Sequence, residues 1–401
     1  MKIGIVDPYS TGSQLAERLA SAGAELVHID SGLVVPATMR ESYVAAHFAS
    51  KVTAASLLNA INVRLELQSF DWIIAGSESG VAAADALARF TARPLFTSTA
   101  PSKFDAGRLL ESAGLRSPRT DRLHSTGQLD VVVEGHRYPL VVKPLWSATG
   151  DGVRLCGSRA ETEEACAAAL DRPNIYGALI DEVLIQEYLP GDEYYCNTVS
   201  HAGNHAAIEV WRYGKLRTND GGWVYASEEY VPADNRTGAA VAAYCLAVLE
   251  ALEFQNGAAH LEVMVNGDEV ALVEANYRLA GATDARVIDR VLGNSQVKAL
   301  ASLLTGDIDF GEATRINPAI LAMRNVFLLP KAGGVVDEEC AAALRALPTV
   351  QAVDLHMTSN NRDAEGTLLA SPGFVFLAAE NPLSLIEDEL TIRRLEEAVH
   401  V

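Results

Sequence analysis

The residues whose types and spacing could do chemistry gather in one stretch, His260-Leu-Glu262 followed by Glu274-Ala-Asn276-Tyr-Arg278. Glu262, Glu274 and Asn276 offer the oxygen donors that hard cations such as Mg²⁺ take. Arg278 places a fixed positive charge two residues beyond the last of them. Two carboxylates, an amide and a guanidinium near one point suit a place where metal-bound phosphates react. An ordinary apolar core has no use for them.

Alternation supplies the geometry. His260, Glu262 and Met264 are separated by Leu261, Val263 and Val265; further on, Glu274 and Asn276 alternate with Val273 and Ala275. A period of two puts each set on one face of a strand. Asn266-Gly267-Asp268 between them is a turn signal, so the unit reads as a hairpin. Loop parity then decides whether the carboxylates meet. A two-residue Asn-Gly turn, which that dipeptide favours, puts Glu262 and Glu274 on opposite faces. A three- or five-residue loop starting at Asn266 puts them on one face, opposite or diagonal to each other. The odd loop is the expectation. The competing reading is a solvated strand face whose charges fell there by chance.

The elements around this hairpin set its frame. At about 100–200 residues per domain, the 401 residues suffice for several units. Short apolar strands at 2–7, Glu25–Ile29, Asp71–Ala75 and Pro94–Ser98 alternate with helical stretches at 13–22, 51–66 and Gly80–Thr91. That order implies a parallel, doubly wound N-terminal unit. Ligands of such sheets bind beyond the carboxyl ends of the strands, where Pro8–Gly12 and Gly76–Gly80 lie. The first loop has no GxGxxG, so it makes no dinucleotide site alone. Glu78 reads equally as a substrate contact and as a carboxylate favoured at a helix N-terminus.

Ser102 to Gly114 is a punctuated helix, with Ser102 as its cap and Gly114 as its end. Lys103 sits in its first turn, against the helix dipole; it is either an anion ligand or an ordinary exposed lysine. Tyr138–Pro144 reads as a strand ending in Lys143, followed by Ser147-Ala-Thr149-Gly150-Asp-Gly152 and a returning strand at Val153–Cys156. Such a turn can lay backbone N–H groups over phosphates, and Lys143 adds a point charge. In Leu184–Tyr195 a strand, a Pro190-Gly191 turn and a second strand could hold an adenine edge, with Glu193 on ribose hydroxyls; a polar hairpin is the plainer reading. Residues 211–232 mix cations, aromatics and glycines and read as a loop covering a polar substrate. Helices are expected at Ala239–Leu252 and Val287–Thr305. Residues 310–401 read as α+β, with strands near 325–330, 350–356 and 374–378 and helices at 337–346 and 383–398.

The formal net charge of −20 argues against nucleic acid and anionic membrane as partners, since both need basic patches. Any phosphate site must be built locally from lysine, arginine, backbone amides and metal. The five scattered cysteines show no CxxC spacing and read as small buried residues in a reducing compartment. No long apolar run follows Met1, so a cytoplasmic protein is expected.

The ordered set Lys103, Lys143, the glycine loop, Glu187…Glu193, Glu262 and Glu274-x-Asn276-x-Arg278 resembles the ATP-grasp superfamily over nearly the whole chain. Within it, the His260-Leu-Glu262 strand and the glutamate four residues before Arg278 resemble the L-amino-acid ligases and carnosine-synthase-like ligases. The resemblance implies an ATP-grasp fold of α/β and α+β parts. These are a pre-ATP-grasp domain at 1–100, an ATP-grasp domain at 101–309 with a lid at about 116–186, and a C-terminal domain at 310–401 resembling the biotin-carboxylase-like branch, with Gly333-Gly334 and the helix at Ile392.

It further implies ATP and Mg²⁺ (or Mn²⁺) as cofactors. Lys103 and Lys143 would hold the α- and β-phosphates, with Ser147, Thr149, Gly150 and Gly152 closing over the triphosphate. Glu187, Tyr188 and Leu189 would line the adenine, Glu193 the ribose, and Glu262, Glu274 and Asn276 the metal. Arg278 would face the acyl phosphate, with Glu78, His260, Gly281 and Ala282 near the substrate. The implied enzyme is an ADP-forming carboxylate–amine ligase acting on small molecules, at least one an amino acid, as a homodimer. The competing readings are an ATP-dependent carboxylase that activates bicarbonate and an ATP-binding protein without turnover.

Overall fold

The computed structural model of the chain describes residues 1–60, 63–97, 100–217, 223–306, 308–316, 322–329, 336–356 and 371–398. Its first sheet consists of β1 (Lys2–Val6), β2 (Glu25–Asp30), β3 (Ser50–Thr53) and β4 (Trp72–Ala75), all parallel, in the order β3-β2-β1-β4. Ile3, Ile5, Leu26, Ile29, Ile73 and Ile74 are buried, as expected of strands covered on both faces by helices. Two expected elements differ. The helical stretch at 51–66 begins as a strand, because Lys51–Thr53 pair with His28–Asp30 and Lys51 reaches Asp30 at 2.7 Å. Helices follow only at Ala54–Leu58 and Val63–Leu67. The strand expected at Pro94–Ser98 contributes a single bridge, Phe96 to Phe254, and joins no sheet; residue 98 lies outside the described residues.

A second sheet is antiparallel: β5 (Thr120–Leu123), β6 (Leu140–Pro144), β7 (Arg154–Cys156) and β8 (Val183–Glu187), in the order β5-β8-β6-β7. Helix Arg159–Ala169 buries Thr162, Ala165, Cys166 and Ala169. Leu140, Val142 and Cys166 belong to the small core beneath it.

The third sheet has eight strands: β9 (Asp192–His201), β10 (Asn204–Arg217), β11 (Trp223–Tyr230), β12 (Gly257–Asn266), β13 (Glu269–Asn276), β14 (Ala322–Phe327), β15 (Val350–Leu355) and β16 (Gly373–Ala379). Their order is β13-β12-β9-β10-β11-β14-β16-β15. It crosses the sequence-expected 309/310 boundary, since β11 pairs directly with β14. The covering loop expected at 211–232 is instead mostly the β10–β11 hairpin, with residues 218–222 outside the described set. Aromatic Trp211, Tyr213, Tyr225 and Tyr230 favour strand there. The helical region at Val287–Thr305 splits into Ala285–Leu292 and Gln296–Thr305. Gly293, at φ 75°, ends the first, and Ser295 caps the second. Gly333-Gly334 lie outside the described residues.

All five cysteines are free and buried. Among the described residues, no helix is long and apolar enough to cross a membrane.

Candidate active site

The β12–β13 hairpin resolves the parity question in an unexpected way. Asn266 pairs with Glu269, leaving Gly267 and Asp268 as a two-residue turn, and Gly267 takes φ 63°. The odd loop is therefore corrected to an even one, the length the Asn-Gly signal favours. Glu262 nevertheless pairs directly with Glu274, and His260 with Asn276. The register shifts between Glu262 and Val263: Val263 pairs with Leu272, so Val273 is an extra residue in β13. This β-bulge does the work assigned to the loop. The bulged carbonyl is not idle, because Lys143 Nζ donates to Val273 O at 3.3 Å.

Three cations converge on the paired carboxylates. Lys103, placed by the Ser102 cap that accepts from Asp105 N at 3.2 Å, reaches Glu274 at 3.1 Å. Lys143 comes from the end of β6. Arg278 Nε donates to Glu78 at 2.8 Å, and its Nη1 to Leu279 O at 2.8 Å. Glu78 is held in turn by the loops of the first sheet. The Asp7 carboxylate accepts from Ser31 N at 3.0 Å and from the hydroxyls of Ser31 and Ser79 at 2.6 Å each. It thereby ties together the loops after β1, β2 and β4.

A cavity of about 800 Å³ lies over this centre. Of the sequence candidates, Glu78, Lys103, Lys143, Ser147, Thr149, Gly150, His260, Glu262, Glu274, Asn276, Arg278, Gly281 and Ala282 line it. Gly152, Glu187, Tyr188, Leu189 and Glu193 do not. The Glu187 carboxylate is engaged by Arg116 at 2.6 Å and by Arg119 N at 3.1 Å. Glu193 lies behind the cavity wall with both oxygens occupied, one by Lys215 and the other by Tyr225 OH at 3.1 Å. Those two donors leave acceptor sites on the ionised carboxylate for the ribose hydroxyls expected there.

Electrostatics at the centre are dominated by burial. Lys143 is only 5 % exposed. Burial pushes its ammonium down to about 8; Glu274 opposes this and Lys103 adds to it. For Glu262, burial works against ionisation, but His260, Arg278 and Lys103 outweigh it and hold the carboxyl below its ordinary value. His260 Nδ1 faces Asn197 Oδ1 at 2.9 Å, and its Nε2 faces Glu262 at 3.2 Å. Asn197 donates its amide to Glu209 at 3.3 Å, so its oxygen is turned toward the imidazole and Nδ1 is the donor.

Among the lining residues that the sequence does not single out are Glu228 and Tyr176. Glu228 is buried, pushed up to about 8 by desolvation, and accepts from Asn325 Nδ2 at 3.1 Å. Asn325 also donates to Ala282 O at 2.9 Å, which fixes the loop after Arg278. Glu228 falls inside the 211–232 stretch read as a covering loop, and nothing there marks it until β11 is placed beside β14. Tyr176, the second, carries no local motif at all.

Metal-holding capacity follows from donor chemistry. Among the described residues, no three His, Cys, Asp or Glu side chains form a metal-binding group. Glu262, Glu274 and Asn276 make a partial oxygen shell, the arrangement in which Mg²⁺ is held by one or two carboxylates and completed by substrate phosphates and water.

Residues 136–285 match the model of the ATP-grasp domain. The chain is 26% identical to dapdiamide A synthase of Enterobacter agglomerans, over 98% of this chain and 95% of that protein. Two solved structures share the fold across both chains. An L-amino acid ligase from Bacillus licheniformis has a TM-score of 0.73 at 16% identity, covering 99% of this chain and 97% of its own. An ATP-bound carboxyaminoimidazole ribonucleotide synthase from Aspergillus clavatus has a TM-score of 0.73 at 14% identity, covering 100% and 99%. Residues 136–285 thus match the ATP-grasp domain, and the chain from end to end shares the fold of the two solved structures.

Proposed function

We propose that the chain is an ATP-dependent carboxylate–amine ligase that joins two small molecules, at least one of them an amino acid, through an acyl phosphate. The observation that carries this reading is the direct pairing of Glu262 with Glu274, with Lys103, Lys143 and Arg278 converging on the same cavity. Nucleotide binding alone has no need of the arginine. The whole-length likeness to dapdiamide A synthase supports the same reading.

In the first step, a carboxylate oxygen of the acid attacks the γ-phosphorus of ATP. The bond to the departing ADP oxygen breaks, and an acyl phosphate forms. In the second, the amine attacks the acyl carbon, releases a proton to solvent, and expels phosphate to leave the amide. Lys103 would exchange Glu274 for phosphate oxygens, and Lys143 would add its charge from the end of β6. Glu262, Glu274 and Asn276 would hold Mg²⁺ or Mn²⁺, which neutralises charge on the transferring phosphoryl group. Arg278 is suited to the negative oxygens of both steps, and Glu78 orients it. The glycine loop Ser147–Gly152 would cover the triphosphate. Its Ser147 hydroxyl donates to Asp151 at 2.7 Å, and Arg172 holds the other Asp151 oxygen at 3.1 Å.

A pairwise amino-acid panel, scored for ADP and phosphate release with mass spectrometry of products, tests this. Amide products with stoichiometric ADP are expected. The likeness to the carboxyaminoimidazole ribonucleotide synthase favours a second reading, a carboxylase activating bicarbonate. ADP release that depends on bicarbonate and needs no amino acid selects it.

A further inference from the structure

Tyr176 is 1 % exposed, yet its hydroxyl has no hydrogen-bond partner among the described residues. A buried, unmet hydroxyl costs stability, so its persistence calls for a use. The side chain lines the cavity that Arg278 and Glu78 share. It lies close enough for the phenol and the Arg278 guanidinium to act on each other electrostatically, and Glu78 acts on the phenol as well.

The loop that carries it is firmly braced. Asn174 Oδ1 accepts from Tyr176 N at 2.9 Å and from Ala178 N at 3.1 Å, while its amide donates to Trp146 O at 3.1 Å. Gly177 takes φ 74°, a conformation glycine adopts without strain. The phenol ring stacks on Trp146 with centroids 5.0 Å apart. Val34 N, from the loops around the first sheet, donates to Tyr176 O at 3.2 Å. Trp146 is the residue before the glycine loop, so this loop and the glycine loop are joined through Asn174. Among the described residues, the contacts of Tyr176 hold its backbone and ring, and none is a hydrogen bond to the hydroxyl. Such an arrangement presents a donor at a set point rather than filling space.

We propose that Tyr176 is a substrate-contacting residue, its hydroxyl donating a hydrogen bond to the carboxyl group being activated, beside Arg278. The inference rests on the ligase reading above. One carboxylate oxygen attacks phosphorus while the other remains as the carbonyl oxygen and accepts from Tyr176. When the amine adds, that oxygen becomes the oxyanion and the bond strengthens, until collapse expels phosphate.

The test is Tyr176→Phe, which keeps the ring stack on Trp146 and removes only the hydroxyl. The melting temperature of the free protein should stay level or rise, and KM for ATP should stay within about twofold. Amino-acid-dependent kcat should fall by about a hundredfold or more, as for loss of one oxyanion donor. Wild-type ADP release driven by amino acids, but left within twofold by Tyr176→Phe, overturns this proposal alone. A lower melting temperature with an ATP KM raised in step marks a structural residue and also overturns it. Wild-type ADP release driven only by bicarbonate overturns the ligase reading and this proposal together, as does no release with either.

Discussion

Lys143→Met probes the cost of holding a buried ammonium ready for phosphate. The native lysine is pushed from an ordinary 10.5 to about 8, first by burial. That difference corresponds to about 3 kcal/mol of destabilisation in the metal-free, nucleotide-free protein. The sign follows from a folded-state value lying below the unfolded one. The penalty is fully present below pH 8, and it fades as pH rises toward 10.5, where the folded lysine is already neutral. Methionine has a similar length and no charge, so it removes this term. It also forfeits the 3.3 Å hydrogen bond to Val273 O, worth about 1 kcal/mol.

The free variant should therefore be more stable than wild type at pH 7 by about 1–2 kcal/mol. That advantage should shrink by about 2–3 kcal/mol between pH 7 and pH 10. Taking the difference between the two proteins cancels groups that titrate alike in both. Urea unfolding at a series of pH values measures it. Calorimetry should show ATP binding weakened by about tenfold or more, from loss of a charge-assisted contact. A variant less stable than wild type at pH 7, with a gap insensitive to pH, would refute the desolvation argument. Unchanged ATP affinity would refute the phosphate role.

Two further perturbations separate chemistry from architecture. Arg278→Ala and Glu274→Ala should each lower ADP release by about a hundredfold or more, by analogy with removal of one transition-state donor; near-normal turnover in steady-state assays would remove both from the machinery. At Gly12, a Cβ would overlap the Gly76 carbonyl and come within 2.7 Å of Gly76 Cα. Gly12→Ala should therefore cost about 1–3 kcal/mol in urea unfolding, because backbone stands on both sides; an unchanged midpoint would contradict that close approach.

Much of the site was legible because its chemistry is local. His260, Glu262, Glu274 and Asn276 alternate on adjoining strands, and Lys103 follows a serine cap whose hydrogen bond forms as expected. The shared face of the two glutamates was anticipated for the wrong reason. Val270-Ala271-Leu272-Val273 is an unbroken apolar run, so nothing in the residue pattern marks which one bulges out of register. Lys51–Thr53 reads as helix on its own and becomes strand only because β2 offers an edge. The aromatic and basic residues at 211–217 suggested a loop over substrate. Their strand character comes from pairing with β9, more than ten residues upstream, and with β11. Tyr176 and Glu228 were invisible for a related reason. Each matters through partners that only the fold brings near: Trp146 and Arg278 for the first, and Asn325 for the second.

The central claim is that a carboxylate is activated as an acyl phosphate in the cavity above Glu262 and Glu274. Its most direct test is turnover of an acid labelled with ¹⁸O in its carboxyl group, in the presence of ATP and an amine. The account predicts that one ¹⁸O atom per turnover appears in the released inorganic phosphate, carried over when the amine displaces it. Phosphate released without label, while ADP and amide accumulate, would contradict it.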